Sequence, residues 1–325
     1  MTTAAWLPYA LPLCQPWQSG RGSIALRRGR LRRLDHEDGT AGWGDCAPLP
    51  AFGIDAARAT AFAEESAHLD LAARHAGKPL AVWLGGDPAI TALAVNAHIG
   101  PLTADSASAA AAAWAAGFTV LKLKVGIAPV ADDIARLHTL SAALPDGCRL
   151  RLDANGAWDM IDAARFLAAC RELPVEACEE PLRAPDLRSL THLQAATPFA
   201  LAVDESLVAL GDDFFRHPPV RRLVIKPARL GGLWAALSLA RQARAAGIEI
   251  VISSALESSC GLLASAHLAA AAAPEAVHGL ATAAWFACDT GEPPRIERGR
   301  LLLPPDAGLG FRWAGARAPA FTGAN

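Results

Sequence analysis

The sequence predicts an α/β protein built on a parallel (β/α) barrel, preceded by a smaller α+β module. Three observations predict it. From Leu93 onward, short apolar runs alternate with helical-period segments seven or eight times in succession. That is the rhythm of a parallel sheet whose crossovers are helices. The first ninety or so residues lack it. Finally, the first barrel strand is followed by Ile99-Gly100-Pro101-Leu102, not by the glycine-rich phosphate turn of a doubly wound dinucleotide-binding sheet. The closed barrel is therefore preferred to the open sheet.

In the first module, 23–33 and 41–45 read as strands around the turn Asp35-His36-Glu37-Asp38-Gly39. Residues 55–76 follow with apolar positions at helical spacing. Barrel strands are expected at 94–99, 120–125, 149–153, 175–179, 200–204, 222–226 and 249–253, with a weak eighth at 277–280. Helices are expected at 104–116, 131–143, 159–171, 187–194, 207–215, 233–246 and 261–272. The tail 296–325 is rich in Pro and Gly and is expected to return to the first module. The domain boundaries expected are 1–92, 93–290 and 291–325.

A chain of 325 residues suits one barrel plus a smaller domain. Hydrophobic residues make up 52%, enough for a large core, and 19% charged residues argue against extensive disorder. The net charge of -2, with no long basic run, argues against a nucleic-acid partner. The densest basic group, Arg27, Arg28, Arg30, Arg32 and Arg33, reads as an exposed hairpin; the other reading has one arginine facing an anionic substrate. Seven scattered cysteines without CxxC spacing read as reduced and mostly buried. The start has no secretory pattern, and stretches such as 109–116 are too short to span a membrane. The expectation is a soluble cytoplasmic protein with no membrane partner; monomer and homo-oligomer both stay open.

Barrel chemistry sits at the carboxyl ends of the strands. The second strand ends Leu121-Lys122-Leu123-Lys124-Val125. Two lysines two apart share one face, and their mutual repulsion is expected to lower a lysine pKa and make a usable base. The third, fourth and fifth strands end in Asp153, Glu179 and Asp204, spaced 26 and then 25 positions apart. Each step is one strand-helix-strand unit, so three carboxylates converge on one rim. Each alone also suits a helix N-cap. Three in register with lysines beside them need a cation, and an oxygen-only set suits Mg²⁺, with Mn²⁺ as a substitute. The sixth strand ends in Lys226, across the mouth from Lys124. A carboxylate-bound cation between two lysines suits removal of a proton α to a carboxylate from a small-molecule substrate. After the seventh strand, Ser253-Ser254-Ala255-Leu256-Glu257-Ser258-Ser259 enters a helix, a place that suits an anion or an ordinary cap.

Together, Lys122-Leu123-Lys124, Asp153-Ala154-Asn155, Glu179-Glu180-Pro181, Asp204-Glu205-Ser206, Ile225-Lys226-Pro227 and residues 253–261 resemble the enolase superfamily, muconate-lactonizing subgroup, over nearly the whole chain. The finer likeness is to the o-succinylbenzoate synthase family. It rests on Arg151-Leu152-Asp153-Ala154-Asn155, Asp204-Glu205-Ser206-Leu207, Ser253-Ser254 with Glu257-Ser258-Ser259, and Gly42-Trp43-Gly44-Asp45 followed by Ala47-Pro48-Leu49-Pro50. The resemblance implies a modified (β/α)7β TIM barrel with an α+β capping domain. It implies Asp153, Glu179 and Asp204 as Mg²⁺ ligands, Lys124 as general base, and Lys226 as stabiliser of the enediolate. It implies Lys122, Asn155, Ser253, Ser254, Glu257 and Ser258 around the substrate, with Arg151 and Glu205 behind them. The implied reaction is a syn dehydration in menaquinone biosynthesis. Two departures stand out. Ala51-Phe52-Gly53 replaces the expected Gly-Phe-Ser type lid, and His278-Gly279-Leu280-Ala281-Thr282 lacks the acidic pair expected of a dipeptide epimerase.

Overall fold

The structure, a computed structural model, describes residues 2–19 and 22–315. The N-terminal module is an antiparallel sheet of β1 (Thr2–Ser19), β2 (Gly22–His36) and β3 (Ala41–Cys46), in the order β1-β2-β3. No strand was expected before residue 23. β1 carries Pro8, Pro12 and Pro16, which hide the strand pattern because proline donates no ladder hydrogen bond. They are tolerated because β1 is an edge strand and its register slips between Pro12 and Trp17.

The helix Ala56–His75 starts at Asp55, whose side chain accepts the Arg58 N–H at 2.8 Å. It packs on β3 and buries Phe62, Ala63 and Ala67. The approach is close enough to require Gly42 and Gly44. A Cβ at Gly44 would lie 1.9 Å from the Ala63 carbonyl oxygen, and one at Gly42 2.2 Å from that of Ala67. Gly44→Ala is therefore expected to destabilise the fold by about 3 kcal/mol, read as a lower midpoint in urea; an unchanged midpoint would show that the sheet and helix can part freely.

Next come β4 (Ala92–Ala94) and the seven parallel barrel strands: β5 (Ala97–Pro101), β6 (Val120–Lys124), β7 (Arg149–Asp153), β8 (Val175–Glu179), β9 (Ala200–Val203), β10 (Arg222–Ile225) and β11 (Glu249–Ile252). The seven are hydrogen-bonded in chain order, β5 to β11. The weak eighth strand is present as two parallel bridges that close the ring: Ser253 with Gly279, and Val95 with His278. The single strand expected at 94–99 is two. β4 leaves the barrel and pairs with β13 (Arg300–Leu302), itself paired with β12 (Ile296–Glu297). Asn96, between β4 and β5, accepts from Arg151 inside the barrel.

Beyond β13 the chain runs along the N-terminal module. Leu309 N–H donates to Asp70, Arg74 donates to the Phe311 carbonyl, and the Phe311 ring packs on Trp43 at 5.5 Å. The part of the expected tail at 316–325 lies outside the described residues. Among the described residues, no helix is long and apolar enough to cross a membrane.

Candidate active site

The parallel register sets Lys124 beside Asp153 and Asp153 beside Glu179 on β6, β7 and β8. Asp204 follows β9 and Lys226 follows β10. All five side chains are buried. Five buried charges at one strand rim are tolerable only through mutual pairing. Lys122 Nζ lies 3.1 Å from Asp153 Oδ2 and also donates to Glu179. Lys124 Nζ lies 3.7 Å from Asp153 Oδ2 and donates to Asn155 Oδ1. Lys226 and Arg229 each donate to one oxygen of Asp204. Asn155 has φ 47°, a left-handed conformation that Asn accepts readily, and its N–H donates to Asp153 Oδ1 at 3.2 Å.

The charges set the titration. Burial pushes the Asp153 carboxyl up, but Lys122, Lys124 and Lys226 outweigh it and hold it at about 2. Burial likewise raises Asp204, and Lys226 and Arg229 pull it well below the usual range. For Lys122 the sequence expectation is reversed. Burial lowers its pKa, but Asp153 and Glu179 raise it further, because its nearest charges are carboxylates and not the neighbouring lysine.

These groups open on a cavity at the barrel mouth. Lys122, Lys124, Asp153, Asn155, Glu205, Lys226, Ser253 and Ser254 form its barrel side, and Trp17, Leu49 and Phe52 of the N-terminal module cover it. The module is thus a cap, and Phe52 stands on the wall where the lid sequence departs from expectation. Glu179 and Asp204 lie beneath the lining, against the lysines. Arg151 sits deeper in the barrel, bonded to Glu176, Asn96 and the Val277 carbonyl. It reaches the cavity only through Asn96.

Glu257 and Ser258, expected around the substrate, are not on the cavity wall. Glu257 Oε2 accepts from Ser254 Oγ and Ala255 N–H, both at 2.7 Å, and so shapes the 253–258 loop from within. Ser258 N–H and Oγ–H both donate to Asp45 Oδ2 of the cap at 2.8 Å, while Tyr9 OH donates to Asp45 Oδ1 at 2.7 Å. Arg27, the one arginine of its cluster held inside, donates to the carbonyls of Ala47, Pro48 and Leu256. It does not face the cavity; it fastens the cap to the same loop.

Several residues of the site escaped the sequence. Trp17 stacks on His98 at 4.3 Å, and both line the cavity; burial, then Lys122 and Lys124, push His98 down to about 3. No local pattern flags either. Glu180, second of the Glu179-Glu180 pair, accepts from Asp204 N–H and from Ser206 N–H and Oγ–H, fixing the Asp204 turn. Burial raises it to about 7. Arg229 lies three residues past Lys226, a spacing that could have suggested it.

Burial also raises Asp45 to about 6, against the opposing hydrogen bonds from Tyr9 and Ser258. The native state therefore holds that proton more tightly than the unfolded chain, whose value is near 3.8. The contribution to stability is full below about pH 4 and is lost as pH rises through about 6. Relative to wild type, Asp45→Asn is expected to gain on the order of 3 kcal/mol between pH 4 and pH 7. Denaturant unfolding at the two pH values reads this; a constant offset between the proteins would show that Asp45 titrates normally.

The family model described as Enolase C-terminal domain-like matches residues 105–317. An o-succinylbenzoate synthase of Enterobacter sp. (strain 638) is 31% identical over 290 residues, covering 80% of this chain and 86% of the relative. A hydrophobic dipeptide epimerase of Enterococcus faecalis is 35% identical over 158 residues, 48% of this chain and 44% of the relative. Among solved structures, the dipeptide epimerase of Cytophaga hutchinsonii, complexed with Mg and the dipeptide D-Ala-L-Val, superposes with a TM-score of 0.86 at 22% identity, covering 96% of both chains. A capped barrel with lysines and carboxylates at its strand ends, and a family match across more than half the sequence, make the chain an enzyme of the enolase superfamily.

Proposed function

We propose that the protein is an o-succinylbenzoate synthase, catalysing syn dehydration of 2-succinyl-6-hydroxy-2,4-cyclohexadiene-1-carboxylate in menaquinone biosynthesis, in the cytoplasm. The observation that carries this reading is that Lys124, Lys226 and Asp153 line one capped cavity. The 31% identity to a named o-succinylbenzoate synthase supports the choice of substrate. So does the eighth-strand wall, where Gly279, Ala281 and Thr282 present no carboxylate to a dipeptide ammonium. All seven cysteines are free, which suits a reducing compartment.

The oxygens of Asp153, Glu179 and Asp204 are not gathered within 4.8 Å of one another; lysine and arginine side chains share them instead. The donor chemistry nonetheless fits Mg²⁺: three buried carboxylates, oxygen only, on neighbouring strand ends. We assign Asp153, Glu179 and Asp204 as its ligands. When bound there, Mg²⁺ supplies Lewis-acid stabilisation of the charge developing on the substrate carboxylate. Lys124, as the general base, removes the proton α to the carboxylate, and the C–H electron pair enters the enediolate. The hydroxyl on the adjacent ring carbon then leaves as water with the proton that Lys124 returns on the same face. Lys226 keeps its charge on the other side and stabilises the enediolate, with its ammonium positioned over the ring. Asn155 holds the Lys124 Nζ in place. Lys122 meets the carboxylate end of the substrate, Ser253 and Ser254 meet its succinyl arm, and Glu205 and Arg151 support the wall.

The second reading is an N-acylamino acid racemase, a dipeptide epimerase or a muconate cycloisomerase, which would use the same first half-reaction; the Enterococcus and Cytophaga epimerases support it. Purified enzyme is to be assayed with the cyclohexadiene carboxylate, an N-succinylamino acid, a dipeptide and muconate. The dehydration should have the highest kcat/KM, and a higher value for any of the others would overturn the assignment.

A further inference from the structure

We propose that His36, Asp38 and His75 form a binding site on the cap for a divalent transition-metal ion of the Zn²⁺, Ni²⁺ or Co²⁺ type, separate from the barrel mouth. The three come from three places: His36 ends β2, Asp38 lies in the turn to β3, and His75 is the last residue of the helix Ala56–His75. His36 Nδ1 lies 3.0 Å from Asp38 Oδ1, and His75 Nε2 lies 3.1 Å from Asp38 Oδ2. The two imidazoles thus face different oxygens of one carboxylate. Their ring centroids are 4.7 Å apart at 69°. The three donor atoms lie within 4.8 Å of one another, and among the described residues no other group of three or more His, Cys, Asp or Glu does so.

The donors are held from behind. In the turn, His36 N–H donates to the Thr40 carbonyl at 2.9 Å and Gly39 N–H to that of His36 at 3.0 Å, with Gly39 at φ 86°. Thr40 N–H donates to Asp38 Oδ1 at 2.8 Å, and this contact first, then His36, keeps the Asp38 carboxyl well below its usual range. The helix end is fixed through Arg74, which pairs with the buried Asp70 at 2.9 Å. Little rearrangement is needed for binding. To bind an ion, each imidazole offers the ring nitrogen that faces Asp38 and carries its proton on the other. Two imidazoles and one carboxylate suit borderline transition ions, whereas the oxygen-only set at the barrel mouth suits Mg²⁺. All three residues are accessible to solvent, and none lines the cavity. An ion there would clip the β2–β3 turn to the end of the cap helix.

The test is calorimetric titration of tag-free, full-length protein with Ni²⁺ or Zn²⁺ in excess Mg²⁺. One ion per chain is expected to bind, with affinity lowered roughly tenfold or more in His36→Asn and in His75→Asn. The ion should raise Tm for wild type and by clearly less for either variant. Turnover with Mg²⁺ alone should be unchanged in both. Wild type taking up no ion under excess Mg²⁺, or either variant binding it with wild-type affinity, would overturn the site.

Discussion

Lys124→Ala is expected to lower kcat on the order of 10⁴-fold, because in the proposed dehydration one amine both takes the α proton and returns it to the departing hydroxyl. The fold should survive. The side chain is buried among Asp153 and Asn155, and its truncation removes a charge that burial disfavours. Mg²⁺ affinity should equal or exceed that of wild type, since a positive charge disappears 3.7 Å from Asp153. Steady-state kinetics and Mg²⁺ calorimetry on a variant with native circular dichroism read both effects. Substantial residual dehydration would remove Lys124 as the base.

Chelation by EDTA is expected to reduce turnover to background, and Mg²⁺ or Mn²⁺ to restore it. Without a cation to stabilise the developing carboxylate charge, the lysines alone cannot replace the lost electrostatic stabilisation. The protein should nonetheless stay folded in EDTA, because Lys122, Lys226 and Arg229 already balance the carboxylates. A lower Tm in EDTA, recovered by Mg²⁺ in proportion to its concentration, would report the same binding. Full activity in metal-free enzyme would refute the ligand assignment.

The barrel was legible where physics acts locally. The strands at 149–153 and 175–179 begin and end where the strand-helix repeat places them. Lys124, Asp153 and Glu179 fall side by side because the parallel register follows from the repeat. What escaped depends on distant partners. β1 is an edge strand whose prolines conceal it, and β4 belongs to a sheet completed by β13 some two hundred residues later. Glu257 and Ser258 stand beside the pocket in sequence, yet Ser258 answers to Asp45, 213 residues away. Trp17 and His98 meet only when the hairpin lies over the barrel.

The seam between Asp45 and Ser258 has a consequence for how such a pocket can be altered. The 253–258 loop is a barrel segment, but Arg27 and Asp45 hold it from the other half of the molecule. A Cβ at Gly261 would meet Asp45 Oδ2 at 2.9 Å, so the two halves interlock with no slack. Transplanting a foreign barrel beneath this N-terminal half would strip Asp45 of its Ser258 donors, and the reverse would strip Ser258 of its acceptor, unless Tyr9, Arg27, Asp45 and residues 253–261 travelled together. They form one inheritable unit written in two distant stretches of the chain.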